Sequence, residues 1–260
     1  MSEYQTVTYQ SANQVATVML NRPNDLNAFN QALSRDLGAA LRVAATDDEI
    51  RVVLLGGHGR AFSAGADLKS GMPSGQEVKR ILQEEHKTAL LAITQMDKPV
   101  ISVVQGTAAG VGLSYALAAD LVMMADDAFF LSPFANIGLV PDGGLSWLFT
   151  RTLGYQRAYQ LAIECERIPA SRCLELGLVN RLAPAADLMS QAQQWADSLA
   201  KRAPLALKLT KRAMRRAMEV SFGDTIDYEA ELQVDCIESQ DCREGITAFL
   251  TKRPAQFTGR

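Results

Sequence analysis

The sequence predicts an α/β fold that gives way to an all-helical C-terminal region. Short unbroken apolar runs recur between amphipathic stretches, the pattern of strands covered on both faces by helices. These runs stop after Pro204, and from there to Leu250 the chain reads as helix. An α/β core over residues 1–200 and a helical region over 201–260 are therefore expected.

The elements follow in order. Val7 to Gln10 and Val15 to Leu20 read as two strands of a hairpin, with Asn13-Gln14 at the turn. Asn21-Arg22-Pro23 opens a polar loop. Leu33, Leu37, Leu41 and Ala44 then recur at three- and four-residue spacing, which predicts an amphipathic helix over 30–45. Val52-Val53-Leu54-Leu55 is a buried strand ended by Gly56-Gly57. A helix around Val78 to Gln95 precedes a strand at Val100 to Val104, and one from about Gly112 to Ala119 precedes a strand at Leu121 to Ala125. Strands alternating with helices point to right-handed crossovers.

Composition narrows the function classes. Among 260 residues, 48% are hydrophobic and 21% charged, which is ordinary for a globular protein. No run approaches the ~18 apolar residues of a membrane span. The polar start, Met1 to Gln10, lacks the basic-then-apolar pattern of a secretory signal, so a cytoplasmic location is expected. Cys165, Cys173, Cys236 and Cys242 form no CxxC pair and read as reduced thiols, and with only two histidines, His58 and His86, no metal site is expected. A net charge of −3 gives no pull towards nucleic acid. Lys208, Lys211, Arg212, Arg215 and Arg216 share one helical face, which reads as solvated; contact with a ligand phosphate or a neighbouring subunit is the alternative.

Three glycine-containing segments stand where strands give way to loops: Ala61 to Leu68 (AFSAGADL), Gly106 to Leu113 (GTAAGVGL) and Pro133 to Gly144 (PFANIGLVPDGG). Small residues at a strand end let a ligand approach the backbone, and an amide opening a helix carries the positive end of its dipole. Each is a weak signal alone. The second is neither GxGxxG nor a P-loop, and no GxSxG is present.

In this order and spacing, together with Asn21-Arg22-Pro23, Leu26-Asn27-Ala28 and a C-terminal Glu244-Gly245, Ala248-Phe249-Leu250 and Lys252-Arg253 with Phe257, they resemble the enoyl-CoA hydratase/isomerase (crotonase) family across nearly the whole chain. The resemblance implies a spiral of ββα units whose C-terminal helices pack subunits into a homotrimer or a dimer of trimers. It implies a coenzyme A thioester as substrate, with no cofactor beyond the CoA it carries. By position, Ala66 and Val111 would supply the two oxyanion-hole amides. Ala28, Ala64, Asp67 and Leu68 would line the adenine and pantetheine side, and Lys252 with Phe249 would reach the CoA from a neighbouring subunit. Val111 stands where relatives usually carry glycine, narrowing the space. Enolate chemistry builds negative charge on the thioester oxygen, and each fixed amide donor there is worth ~3 kcal/mol in the transition state.

The family's hydratases use two glutamates, which fall here at Ser114 and Phe134. Neither side chain is a carboxylate. Asp142 is, and the string Pro-Asp-Gly-Gly followed by Trp147 resembles the ring-opening and double-bond isomerases of phenylacetate catabolism. One carboxylate suffices to move a proton between two carbons of a thioester-stabilised dienolate. Phe134, Leu139, Val140 and Trp147 are expected to surround Asp142 and raise its pKa by desolvation. Alternatively Asp142 caps the following helix, which would lower its pKa, or acts as a nucleophile with His86 nearby. Otherwise His86 reads as solvent-facing, Glu84 and Glu85 as surface charge, and Ser114 as a small packing residue. Met72 to Arg80, with Gly71, Pro73, Ser74 and Gly75, reads as a mobile loop that sets acyl preference. The leading expectation is an isomerase; a hydratase and a non-catalytic acyl-CoA-binding protein are the alternatives.

Overall fold

A computed structural model describes residues 4–71 and 73–260. Met1 to Glu3 of the polar start, and Met72 of the expected pocket loop, lie outside the described residues. β1 (Val7–Ala12) and β2 (Val15–Leu20) pair antiparallel. Their connection holds Asn13 and Gln14 at φ of 52° and 66°, the left-handed conformation a two-residue hairpin turn demands. β3 (Val52–Gly57), β4 (Val100–Val104) and β6 (Leu121–Ala125) add in parallel, as does the short β9 (Arg181–Ala183), giving the order β1-β2-β3-β4-β6-β9. Every residue of β3 and β4 is buried, as their unbroken apolar runs require.

A second sheet crosses from the ends of the first. β5 (Thr107–Ala109) follows β4, β7 (Phe129–Leu131) follows β6, and β8 (Arg167–Pro169) closes the order β5-β7-β8. Successive turns of the chain therefore contribute one strand to each sheet, the ββα spiral. The strands of this sheet have three residues each, too few to show a period, so sequence reading passed over them.

α1 (Gln31–Thr46) buries the Leu33, Leu37, Leu41 and Ala44 stripe and is capped by Asn30, whose side chain accepts from the Leu33 amide at 2.9 Å. The helix expected over 78–95 is three pieces: α2 (Gly75–Arg80), a π-helical stretch Ile81–His86, and α3 (Lys87–Gln95). His86 closes the π-helical stretch and is buried, which a 3.6-residue periodicity does not anticipate. α4 (Val111–Ala118) begins one residue earlier than its glycine suggested. Then come α5 (Leu145–Leu153), α6 (Tyr155–Glu164), α7 (Ala170–Glu175) and α8 (Leu188–Ala200), the last packed on the large sheet. α9 (Pro204–Ala217), α10 (Phe222–Glu238) and α11 (Gln240–Leu250) finish the fold, with no strand after β9 among the described residues.

The basic face of α9 corrects the sequence reading: it is not a free solvated surface. Lys211 reaches Asp120 at 2.7 Å and donates to the carbonyls of Ile93 and Lys98, while Arg215 reaches Asp120 and the Ala118 carbonyl. Lys208 and Arg212 share Asp97 at 2.8 and 2.7 Å. Asp97 and Asp120 precede β4 and β6, so the face bolts the helical region to the sheet. Their distance along the chain hid the pairing.

Candidate active site

The first two glycine segments are zipped together by backbone. Ser63 donates to the Thr107 carbonyl at 3.1 Å, and Ala109 donates back to Ser63 at 2.9 Å. Gly65 (φ 97°) and Gly110 (φ 53°) meet at the end of the zip. A Cβ on Gly65 would lie 3.0 Å from the Ala109 carbonyl oxygen and 3.5 Å from the Gly110 Cα. Glycine against glycine is what lets these strands touch, and the next residue on each is an oxyanion candidate.

Ala66 is exposed and bracketed by Phe29, which donates to the Gly65 carbonyl at 2.7 Å and accepts from Asp67 at 2.9 Å. Among the described residues the Ala66 amide itself has no acceptor. Val111 is the first residue of α4, where the helix leaves its N–H without an intrahelical partner and the dipole is positive. Gly110 absorbs the positive φ, so Val111 enters the helix unstrained despite its side chain.

Asp142 is held against the same turn of α4. The buried Ser114 hydroxyl donates to the Asp142 main-chain carbonyl at 2.9 Å. Gly143 (φ 58°) fits so closely that a Cβ there would sit 2.8 Å from Ser114 Cβ and 3.2 Å from Val111 Cγ2. Ser114 is thus a bracket as well as a packing residue. The Asp142 carboxyl does not cap α5, whose start has no side-chain cap bond. Its Oδ1 is buried without a hydrogen-bond partner, and burial pushes its pKa up from 3.8 to about 6. The direction is the opposite of what a capping role would produce.

The apolar surroundings differ from those expected. Phe134 is buried, but Leu139, Val140 (79% exposed) and Trp147 face solvent. The neighbours that sequence reading missed lie on the core side. Tyr115, one helical turn after Val111, is fully buried, stacks on Phe29 at 4.5 Å and meets His86 Nδ1 at 3.1 Å through its hydroxyl. Burial, then the charges of Asp142 and Glu85, push the Tyr115 phenol well above its ordinary value, so it stays a hydroxyl. His86 is buried rather than solvent-facing, and burial lowers its pKa to about 4, keeping it neutral at physiological pH. Glu85, read as surface charge, is half-buried beside Arg80 at 3.1 Å. The i+4 relation of Tyr115 to Val111 was the one available signal.

On the other side of the AFSAGADL loop, Arg22 organises the predicted CoA-side residues. Its guanidinium donates to the Ala28 carbonyl and pairs with Asp67 at 2.8 Å, while the Ala64 amide donates to Leu26 at 2.9 Å. Leu68 is exposed. Phe249 and Lys252, at the end of α11, are exposed, and among the described residues neither makes a hydrogen bond to these loops.

Two amides with no acceptor among the described residues lie on adjoining loops, and the half-buried Asp142 is fixed to the helix that starts at one of them, an arrangement able to donate hydrogen bonds to a carbonyl with a carboxylate close by. Comparisons with known proteins give the family of the chain. The sequence model of the enoyl-CoA hydratase/isomerase family matches residues 10–260. A probable enoyl-CoA hydratase of Rhodobacter capsulatus is 38% identical over 257 residues, covering 99% of both chains. The 1,2-epoxyphenylacetyl-CoA isomerase of Escherichia coli K12 is 36% identical over 250 residues, covering 95% of each. The crystal structure of an enoyl-CoA hydratase from Polaromonas sp. JS666 superposes with a TM-score of 0.92 at 35% identity, covering 97% of this chain and 99% of that one. With its spiral fold, its paired glycine segments and these full-length matches, the chain belongs to the enoyl-CoA hydratase/isomerase (crotonase) family.

Proposed function

We propose that the protein is an acyl-CoA isomerase that shifts a double bond through a thioester dienolate, with Asp142 as the proton shuttle. The observation that carries this reading is the state of Asp142: half-buried, with Oδ1 shut off from solvent and unpartnered, uncapped and raised to about 6, while the hydratase glutamate positions hold Ser114 and Phe134. In a 3-enoyl thioester, the Asp142 carboxylate takes a proton from C2. The C–H electron pair forms the C1–C2 double bond, and the carbonyl electrons move to oxygen. The Ala66 and Val111 amides hold that oxyanion. Asp142 then returns the proton to C4 as the C2–C3 double bond forms. A base poised near neutrality both takes and returns the proton efficiently. Coenzyme A would lie along Ala28, Ala64, Asp67 and Leu68. Phe249 and Lys252 of a neighbouring subunit would close over it in a trimer or a dimer of trimers, which would also cover exposed apolar residues such as Phe222 and Ile226 of α10.

Hydration is the second reading, favoured by the Rhodobacter relative's name. Incubation of 3-enoyl- and 2-enoyl-CoA thioesters in deuterated water, with wild type and Asp142→Asn, separates the two. A moved double bond with exchange at carbon, lost in the variant, supports isomerisation. Dominant 3-hydroxyacyl-CoA would support hydration, and isomerisation that survives the substitution would exclude Asp142 as the base. Thioester binding without turnover of linear or ring substrates would support a non-catalytic binding protein.

A further inference from the structure

Beside Asp142 the molecule opens into a cavity of about 790 Å³ between α3, α5, α9 and α10. Gly143 and Gly144, the two residues after Asp142, line it, and a side chain on Gly144 would meet nothing within 4 Å. The wall beyond is apolar, formed by Leu82, Leu90, Leu91, Met96, Trp147 and Leu148. The volume lies within the ~300–1,000 Å³ of small-molecule sites.

Its charges are one-sided. Five basic residues line the cavity against one carboxylate, Glu219. Three of the five are already neutralised: Lys211 and Arg215 by Asp120, and Arg212 by Asp97. Among the described residues Lys87 and Arg216 form no salt bridge; Arg216 is steadied over the Tyr228 ring at 4.5 Å, with the charge of Asp224 in its neighbourhood. An apolar cavity carrying two cations outside any salt bridge suits an alkyl chain with an anionic end.

We propose that the acyl tail passes from Asp142 across Gly143–Gly144 into this cavity, and that Arg216 and Lys87 select tails ending in a carboxylate. The ligand class is an ω-carboxyacyl thioester of medium length. The proposal rests on the acyl-CoA site described above but not on which reaction that site performs. Saturated thioesters therefore test it, since they bind without reacting.

Titration calorimetry would compare butyryl-CoA, decanoyl-CoA and the mono-CoA thioester of decanedioic acid. The dicarboxylic thioester is expected to bind about fivefold tighter than decanoyl-CoA, the upper end for a solvent-exposed ion pair. Arg216→Gln combined with Lys87→Gln should abolish that preference and leave butyryl-CoA unchanged. Both side chains are exposed, so the double variant folds. Leu91→Trp should weaken both ten-carbon thioesters and spare butyryl-CoA. Equal affinity for the two ten-carbon thioesters, or a preference that survives the double variant, would overturn the selection. Leu91→Trp without effect would overturn the path of the tail. Free decanedioate binding as tightly as its thioester would assign the cations to a separate carboxylate site and overturn the proposal. If no thioester binds, the acyl-CoA site itself fails. Tight, selective binding with no isomerisation of any unsaturated thioester would sink the isomerase reading alone.

Discussion

Replacing Asp142 with asparagine tests the site through stability as well as activity. A shift from 3.8 to about 6 means that the folded protein holds the Asp142 proton more tightly than the unfolded chain does. The stabilisation from that proton is complete below the unfolded value and lost as pH rises through about 6. At 1.36 kcal/mol per unit, the ionised carboxylate costs the fold about 2–3 kcal/mol above neutrality. The asparagine amide changes packing, but by an amount that does not depend on pH. The difference in unfolding free energy between wild type and variant should therefore change by about 2–3 kcal/mol in the variant's favour between about pH 4 and pH 8. Urea unfolding across that range measures it, with both proteins kept at one concentration because assembly would add a mass-action term. Activity should move the other way, with kcat/KM falling by roughly 10²- to 10⁴-fold. The wild-type profile should rise with pH through a limb near 6 as the base deprotonates. Parallel stability curves with no pH-dependent gap would refute the claim that Asp142 is a poorly solvated carboxylate.

The remaining expectations concern the frame around it. Val111→Pro removes the N–H proposed to hold the oxyanion, at the first helical position, where proline is tolerated; kcat should fall by about 10²–10³ with little change in helix content by circular dichroism. Ser114→Glu, which on pattern alone would restore a hydratase carboxylate, should instead displace Asp142, because Ser114 is fully buried against Gly143. Product analysis should then show loss of isomerisation without gain of 3-hydroxyacyl-CoA, and the midpoint of thermal unfolding should drop. Lys211→Met leaves Asp120 with Arg215 and the Val100 amide and frees the Ile93 and Lys98 carbonyls, so it should destabilise by about 3 kcal/mol in urea titration.

The sequence by itself determined the large sheet and its covering helices. Val52 to Leu55 and Val100 to Val104 are apolar without interruption because both faces are buried, and the α1 stripe repeats at helical spacing because one face is. It also determined the family, since residues such as Gly65 and Gly110 occupy positions a Cβ would spoil, and such positions leave a local mark in the chain.

Only the tertiary structure decided what those residues face. The ionisation of Asp142 depends on burial and on the absence of a hydrogen-bond partner, neither of which its neighbours in sequence encode. The exposed Leu139, Val140 and Trp147 are apolar yet do not enclose it, whereas Tyr115, distant in the chain, comes near enough to feel its charge and is itself met by His86 from a π-helical stretch. The basic stripe of α9 likewise took its meaning from Asp97 and Asp120, roughly ninety or more residues away in the chain and under 3 Å away in space. Local pattern reports which face of an element is buried; long-range closure chooses the partner, and the partner sets the charge, the pKa and hence the chemistry.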